Sequence, residues 1–251
     1  MYKILANTVF LGKDIHFLTE CHSTNDMAME KIKNGELTEG SIVITEVQTR
    51  GKGQRGNIWW SEPYKNLTFS LVLKPYFLKP SEQFELSIAV ALAVVETLSD
   101  YFSGVRVKWP NDVLHEVYGK LGGILIENII NQKGIEYSII GIGLNINQKM
   151  SDLPFSTSFM DLTGKEWDKA EIFEILVQKI EKNYLLLKKG QKNVLRALYL
   201  SQLYRFGKEA DYFDERPFKG KIVGIGSDGR LIIEKTDGSL NHYAFKEVRY
   251  L

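Results

Sequence analysis

The chain has 251 residues, 44% of them hydrophobic and 25% charged, which is enough to bury a substantial core in one large or two small domains and too apolar to stay disordered. Its formal net charge of +1 supplies no global field for nucleic acid or an anionic membrane, so any anion must be met by a local cluster. One cysteine, Cys21, excludes a disulfide framework and a thiolate-rich zinc site and suits a reducing cytoplasm; with no secretory leader pattern and no long charge-free apolar run, the chain reads as soluble and unexported.

A lead strand is expected around Lys13 to Leu18, then a helix over STNDMAMEKIK with Ser23 or Thr24 as N-cap and Gly35 as terminator. SIVITEV, 41–47, is β-branched and runs straight into a glycine-rich loop, and NLTFSLVLKP, 66–75, is a second strand. Ser81 opens a long segment, SEQFELSIAVALAVVETLSDYF, whose length and Ala and Leu content predict a helix. VRVKW, a Pro-Asn-Asp turn, a hairpin through Tyr118-Gly119 and the strands KLGGILIEN and EYSIIGIGLNIN follow, implying a mixed or largely antiparallel sheet packed on helices. EYSIIGI would pair two copies edge to edge if it lay unpaired, or be covered within one copy. After a polar connection, 147–165, helices are expected from about Asp168 to Lys188 and from Gln191 to Tyr204. From near Phe206 the texture changes to short strands punctuated by Ser227-Asp228-Gly229 and Asp237-Gly238, the pattern of a small β-barrel.

The loop TRGKGQRGNIWW, 49–60, contains G-x-G-x-x-G, yet no helix follows its third glycine: Pro63, two tryptophans and a β-rich run come next, so the dinucleotide fingerprint fails. Walker A fails as well, because no Ser or Thr follows Lys52. What remains is a flexible connection with cations at Arg50, Lys52 and Arg55 that either closes on an anion through backbone N–H groups and side chains or is a surface turn with incidental charges. Trp59 and Trp60 are core residues or, beside an anion loop, a stacking surface for a base.

KWPND, 108–112, sets Lys108 at a strand end before a proline turn, where the sheet could hold an ammonium rigidly against a carboxylate and a phosphate whose repulsion must be overcome. Asn111 and Asp112 also suit the turn itself. In KLGGILIE, 120–127, Gly122 and Gly123 within an apolar strand mark either a bulge or a slot for a thin acyl chain. GIGLNIN, 141–147, repeats the glycines and ends on Asn145 and Asn147. The four histidines, His16, His22, His115 and His242, are too scattered for a metal triad, and Cys21 lacks an activating motif.

STN, EVQTRGKGQRGNIWWSEPYKNL, KWPND, KLGGILIE and GIGLNIN, in this order and before a C-terminal barrel, resemble the biotin protein ligase family, the biotin-[acetyl-CoA-carboxylase] ligases, over nearly the whole chain from about residue 12. The resemblance implies an α+β fold: a class II synthetase-like catalytic domain over 1–205 and an SH3-like β-barrel over 206–251. It implies ATP-dependent biotinylation of a lysine on a biotin carboxyl carrier protein or domain through biotinyl-5′-AMP, with Mg²⁺ accompanying ATP. Family members come with or without a DNA-binding domain ahead of these motifs, and the expectation here is the form without it and without DNA as a partner.

By motif, Ser23, Thr24, Asn25, Gln48, Gly51, Lys52, Gly53, Gln54, Lys108, Gly122 and Gly123 are assigned to biotin; Lys52, Arg55, Trp59, Asn111, Lys120, Asn145 and Asn147 to the nucleotide; and Lys108, Lys52 and Arg55 to catalysis. Metal ligands are not assigned. The family loop usually reads G-R-G-R-R-G-R, so Lys52, Gln54 and Asn57 supply fewer guanidinium forks for phosphate than usual. KLGGILIE also alters the usual K-L-A-G-I-L-V-E, leaving acyl-chain fit open. The rival readings are a lipoate or octanoate ligase of the same fold, against which KWPND and the C-terminal barrel argue, and a non-catalytic ligand or nucleic-acid binder, against which the near-zero net charge argues.

Overall fold

The computed structural model describes residues 5–150 and 153–251, the side chain of Arg55 excepted. In chain order the elements of the larger part are β1 (Ile15–Cys21), α1 (Thr24–Lys33), β2 (Ile42–Gln48), β3 (Leu67–Leu73), α2 (Phe84–Ser99), β4 (Val105–Lys108), β5 (Asp112–His115), β6 (Gly119–Asn131), β7 (Gly134–Leu144), α3 (Phe159–Thr163), α4 (Lys169–Lys188) and α5 (Lys192–Gln202). Then come β8 (Glu209–Phe213), β9 (Pro217–Ile225), β10 (Leu231–Lys235), β11 (Leu240–Tyr243) and β12 (Arg249–Tyr250).

Strands β1 to β7 form one sheet in the order β1-β2-β3-β7-β6-β5-β4, parallel at β1–β2 and antiparallel elsewhere, as the short strands and tight turns predict. EYSIIGI is not an edge: β7 is paired with β3 on one side and β6 on the other, so it offers no ladder to a second copy. The expected helix from Ser81 begins as a 3-10 turn at Pro80–Glu82, because proline fixes the turn's first residue, and becomes α-helical from Phe84. The polar connection 147–165 carries α3, whose single turn and a half is too short to leave a periodic signal.

Period-two alternation divides the sheet. Phe69, Leu71 and Leu73 of β3, with Ile140, Ile142 and Leu144 of β7, join α2 and α4 in the main core, where Phe69 meets Phe173 edge to face with ring centroids 5.1 Å apart. Val43, Val72 and Ile139 face the other way and pack with Ala28 and Ile32 of α1. Helix α1 therefore covers one half of that second face and points its N-terminus at the uncovered half.

The C-terminal strands form a five-stranded antiparallel sheet, β11-β10-β9-β8-β12, whose buried Tyr212, Ile222, Leu231 and Ile233 are continuous with the main core. At one end Asp214 accepts hydrogen bonds from Lys235 Nζ and from Tyr243 Oη, each at 2.9 Å. Lys235, followed by Tyr243 and the neighbouring backbone N–H groups, holds the Asp214 carboxyl well below the ordinary carboxylate range. A depressed carboxylate adds stability above its unfolded pKa of about 4 and loses it as pH falls through the folded value. Asp214→Asn is accordingly expected to melt lower than the parent at pH 7, with the gap closing as the pH drops below about 4 in a thermal-unfolding series.

Candidate functional site

Opposite the core, the sheet's second face carries a cavity of about 150 Å³. Two rows of the ladder run beneath it, and Leu125, Gly141, Gly143, Gly123 and Asp112 of these rows line its floor. One runs Ser70, Gly141, Leu125 across β3, β7 and β6, and the other runs Thr68, Gly143, Gly123, Asp112 across β3, β7, β6 and β5. Three of these positions are glycine, and each leaves room for something different. A Cβ on Gly141 would strike Asn25 Oδ1, and one on Gly143 would strike the Trp59 indole. At Gly123 a Cβ would meet nothing nearer than Lys120 Nζ at 3.6 Å and Asp112 Oδ1 at 3.7 Å, so this face is open to the cavity. Its neighbour Gly122 points to the opposite side, where a Cβ would lie 2.5 Å from Leu144 Cδ2 and 2.6 Å from the Gly143 carbonyl oxygen. The double glycine is thus one packing glycine and one floor glycine, not a two-residue slot.

The polar end of the cavity is the start of α1. Ser23 is the N-cap residue, but its hydroxyl makes no cap hydrogen bond, and Thr24 N donates instead to Gln48 Oε1 at 2.9 Å. Ser70 Oγ lies 2.7 Å from Thr24 Oγ1 and 2.6 Å from Asn25 Oδ1, while Asn25 Nδ2 donates to Glu127 Oε2 at 2.7 Å. This buried chain fixes the rotamers of Thr24 and Asn25 and leaves a recess with both donors and acceptors.

The glycine loop lies over the cavity. Gly53 N donates to Asn57 O at 2.7 Å and Trp59 N to Gly51 O at 2.9 Å, so 51–59 folds back on itself around a 3-10 turn at Gln54–Gly56. Lys52 Nζ bonds Asp26 Oδ1 at 2.5 Å, tying the loop to the first turn of α1. That hydrogen bond raises the Lys52 pKa above the ordinary lysine value. Gln54 Oε1 and Trp59 Nε1 are buried with no hydrogen-bond partner, an acceptor and a donor left for something else.

Lys120 is the ammonium at the centre. It pairs with Asp112 Oδ1 at 2.6 Å, lies 5.7 Å from the Trp59 ring centroid and borders the open face of Gly123. Lys108 does not line the cavity. It shares the second ladder row, but on β4 at the sheet edge, beyond Asp112, and its Nζ sits 5.1 Å from the Tyr250 ring centroid in the C-terminal sheet. A strand-end lysine is long enough to turn either way, and the aromatic ring claims it.

Of the residues expected from the sequence, Ser23, Thr24, Asn25, Gln48, Lys52, Gly53, Gln54, Trp59, Asn111, Lys120 and Gly123 line the cavity together. Gly51, Gly122, Lys108, Asn145 and Asn147 do not. Gly51 packs against the Trp59 carbonyl; the Asn145 amide is spent on the carbonyls of Lys120 and Thr157, at 3.3 and 3.1 Å; and Asn147 exchanges two hydrogen bonds of 2.9 Å with the Trp167 backbone. The Arg55 side chain lies outside the described residues. Asp112, Ser70, Gly141, Gly143 and Asp26 enter the site without having been singled out. Alternation along LTFSLVL and GIGLNIN carried a signal for the middle three, whereas Asp112 read as a turn residue because its partner is eight residues away across a hairpin.

Among the described residues no group of three or more His, Cys, Asp and Glu could hold a metal ion, and no helix is long and apolar enough to cross a membrane.

The cavity on this mixed sheet brings a basic glycine loop, a hydroxyl cluster at a helix N-terminus and a central lysine together in the manner of a ligase site, and the sequence pattern of the biotin/lipoate A/B protein ligase family matches residues 18–145. The chain belongs to that family. Within it the chain groups with the biotin protein ligases. It is 29% identical over 247 residues to the bifunctional ligase/repressor BirA of Bacillus subtilis strain 168, covering 94% of this chain and 74% of that protein. It is 27% identical over 231 residues to the biotin--[acetyl-CoA-carboxylase] ligase of Mycobacterium tuberculosis, covering 88% and 84% respectively. The fold matches the biotin protein ligase of Aquifex aeolicus in complex with biotin and ATP with a TM-score of 0.78 and 27% identity, over 95% of this chain and all of that one.

Proposed function

We propose that the chain joins biotin to a lysine of a biotin carboxyl carrier domain in two steps. The biotin carboxylate attacks the α-phosphorus of ATP and expels pyrophosphate; the lysine amine then displaces AMP from biotinyl-5′-AMP. The observation that carries this reading is the Lys120 ammonium beside the open face of Gly123, with a recess of mixed donors and acceptors at one end of the same cavity. The ureido ring, two N–H donors and one carbonyl, suits Thr24, Asn25 and Gln48, which Ser70 braces from behind. The acyl chain then crosses Gly123, where no side chain obstructs it, and its carboxylate reaches Lys120.

At that point a carboxylate meets a phosphate, and like charges must be held within bonding distance. Lys120 offsets that repulsion in the ground state and stabilises the charge that grows as the pentacoordinate phosphorus forms. Asp112 holds the ammonium in position through their 2.6 Å ion pair. The Trp59 indole, packed against Gly143, lines the cavity as an aromatic wall for adenine and turns its unpaired N–H to an oxygen. Lys52 closes the loop through Asp26. Among the described residues no carboxylate cluster could hold a metal ion, and Mg²⁺ would be carried by the triphosphate, as this hard cation usually is. The reaction belongs in the cytoplasm, whose reducing state the single buried Cys21 tolerates. The boundary near residue 206 divides a catalytic unit from a C-terminal module that the continuous core holds against it.

Biotin-dependent exchange of pyrophosphate into ATP, followed by transfer to an apo carrier domain, tests the assignment; exchange with lipoate in place of biotin would overturn it. Gln54 stands where the family loop usually has arginine, so its amide grips a phosphate less than a bidentate guanidinium would. Gln54→Arg is expected to slow release of biotinyl-5′-AMP by about tenfold in a filtration assay, the worth of one added charge-assisted hydrogen bond.

A further inference from the structure

A second cavity, of about 340 Å³, adjoins the first and shares Gln54, Asn111, Ile124 and Phe245 with it. Helix α2, the Trp109-Pro110 turn, β6 and the β9–β10 turn enclose it. Its outer end carries the exposed Asp228 and Arg230, its walls include Phe84, Trp109 and Ile126, and its inner end is Gln54. The β9–β10 turn is fastened in place from the catalytic side. Trp109 Nε1 donates to Gly229 O at 2.9 Å, and Arg196, ion-paired with Glu85 at 2.6 Å, donates to the carbonyls of Ile225 and Gly226.

Among the described residues the lining offers a polyphosphate little to bind. Arg230 is its one cationic side chain among the described residues, and it is paired with Asp228 at 3.3 Å. At the inner end the buried Gln54 Oε1 lacks a partner, and an acceptor is satisfied by an N–H, not by a phosphate oxygen. A carboxylate at the mouth, an apolar wall and a lone acceptor at the end match a lysine side chain, which lays its methylene stem on apolar surface and presents N–H groups at its tip.

Resting on the biotin-ligase reading above, we infer that this second cavity is the access channel for the carrier's acceptor lysine and that Gln54 Oε1 accepts a hydrogen bond from its ε-nitrogen. On leaving water for the channel the ammonium gives one proton to solvent, because desolvation disfavours the charged form. The nitrogen lone pair attacks the acyl carbon of biotinyl-5′-AMP and forms the C–N bond. The C–O bond to phosphate breaks with its electron pair going to AMP, and the nitrogen loses its second proton to solvent. Gln54 touches the nucleophile and orients it; it is not a base.

Ser87 of α2 lines this cavity and not the first, so Ser87→Trp fills the channel from a site remote from biotin. Pyrophosphate exchange is expected to stay within about twofold of the parent while transfer from preformed biotinyl-5′-AMP to an apo carrier domain falls at least about tenfold. Gln54→Leu, which keeps the bulk and removes the acceptor, is expected to lower the ratio of transfer to exchange by about tenfold, and it decides the matter alone if Ser87→Trp does not fold. Exchange slowed as much as transfer would make the cavity a nucleotide site, and parental transfer rates in both variants would leave the channel without a role; either result overturns the inference. A parent enzyme with no biotin-dependent exchange would remove the underlying reading and this inference with it.

Discussion

Lys120→Ala is expected to lower the rate of biotin-dependent pyrophosphate exchange by about 10²- to 10³-fold, and Lys108→Ala to stay within a few-fold of the parent. The contrast follows from position. Both lysines lie near the same ladder row, but Lys120 is in the cavity with Asp112 and the open face of Gly123, whereas Lys108 is committed to the Tyr250 ring at the sheet edge. In the proposed reaction an ammonium at Lys120 acts on charge that develops during attack on the α-phosphorus, so its loss is expected to fall mainly on kcat. Removing it also leaves the half-buried Asp112 carboxylate facing two substrate anions, which adds to the loss. Equal losses in both variants, or a greater loss at Lys108, would refute the assignment.

The second large effect separates two adjacent residues. Gly123→Val is expected to fold normally and raise the KM for biotin by about 10- to 100-fold, because its added atoms enter open cavity and occupy the acyl path. Gly122→Val is expected instead to lower stability by about 3 kcal/mol, since its Cβ would meet the buried Leu144 Cδ2 at 2.5 Å and, at 2.6 Å, the Gly143 carbonyl, which strand pairing keeps from retreating. Urea unfolding and substrate titration of the two variants check both halves. A destabilised Gly123→Val with unchanged KM would show that the cavity floor has been misplaced.

The elements themselves were largely legible. The β-branched run 41–47, the helix after Ser23 and the strand-turn texture after residue 206 each come from local propensity and turn chemistry, which act over a few residues and leave their mark in composition. The loop was legible for a different reason: three glycines among cations, with no helix to follow, leave few physical uses. Lys52, Gly53, Gln54 and Trp59 of that loop line the cavity.

What the sequence determined by itself was the set of groups available: hydroxyls at a helix N-terminus, a glycine-rich basic loop, two lysines flanking a proline turn and hairpin, and glycines in two strands. Which lysine faces the cavity, and which glycine of 122 and 123 forms its floor, was decided by tertiary structure. Strand pairing places Asp112 opposite Gly123 and next to Lys120, while the C-terminal sheet brings Tyr250 to Lys108 from the far end of the chain. The direction of a long side chain depends on the partner that meets it, and for Lys108 that partner lies 142 positions away in the sequence, from 108 to 250, beyond the reach of any local pattern.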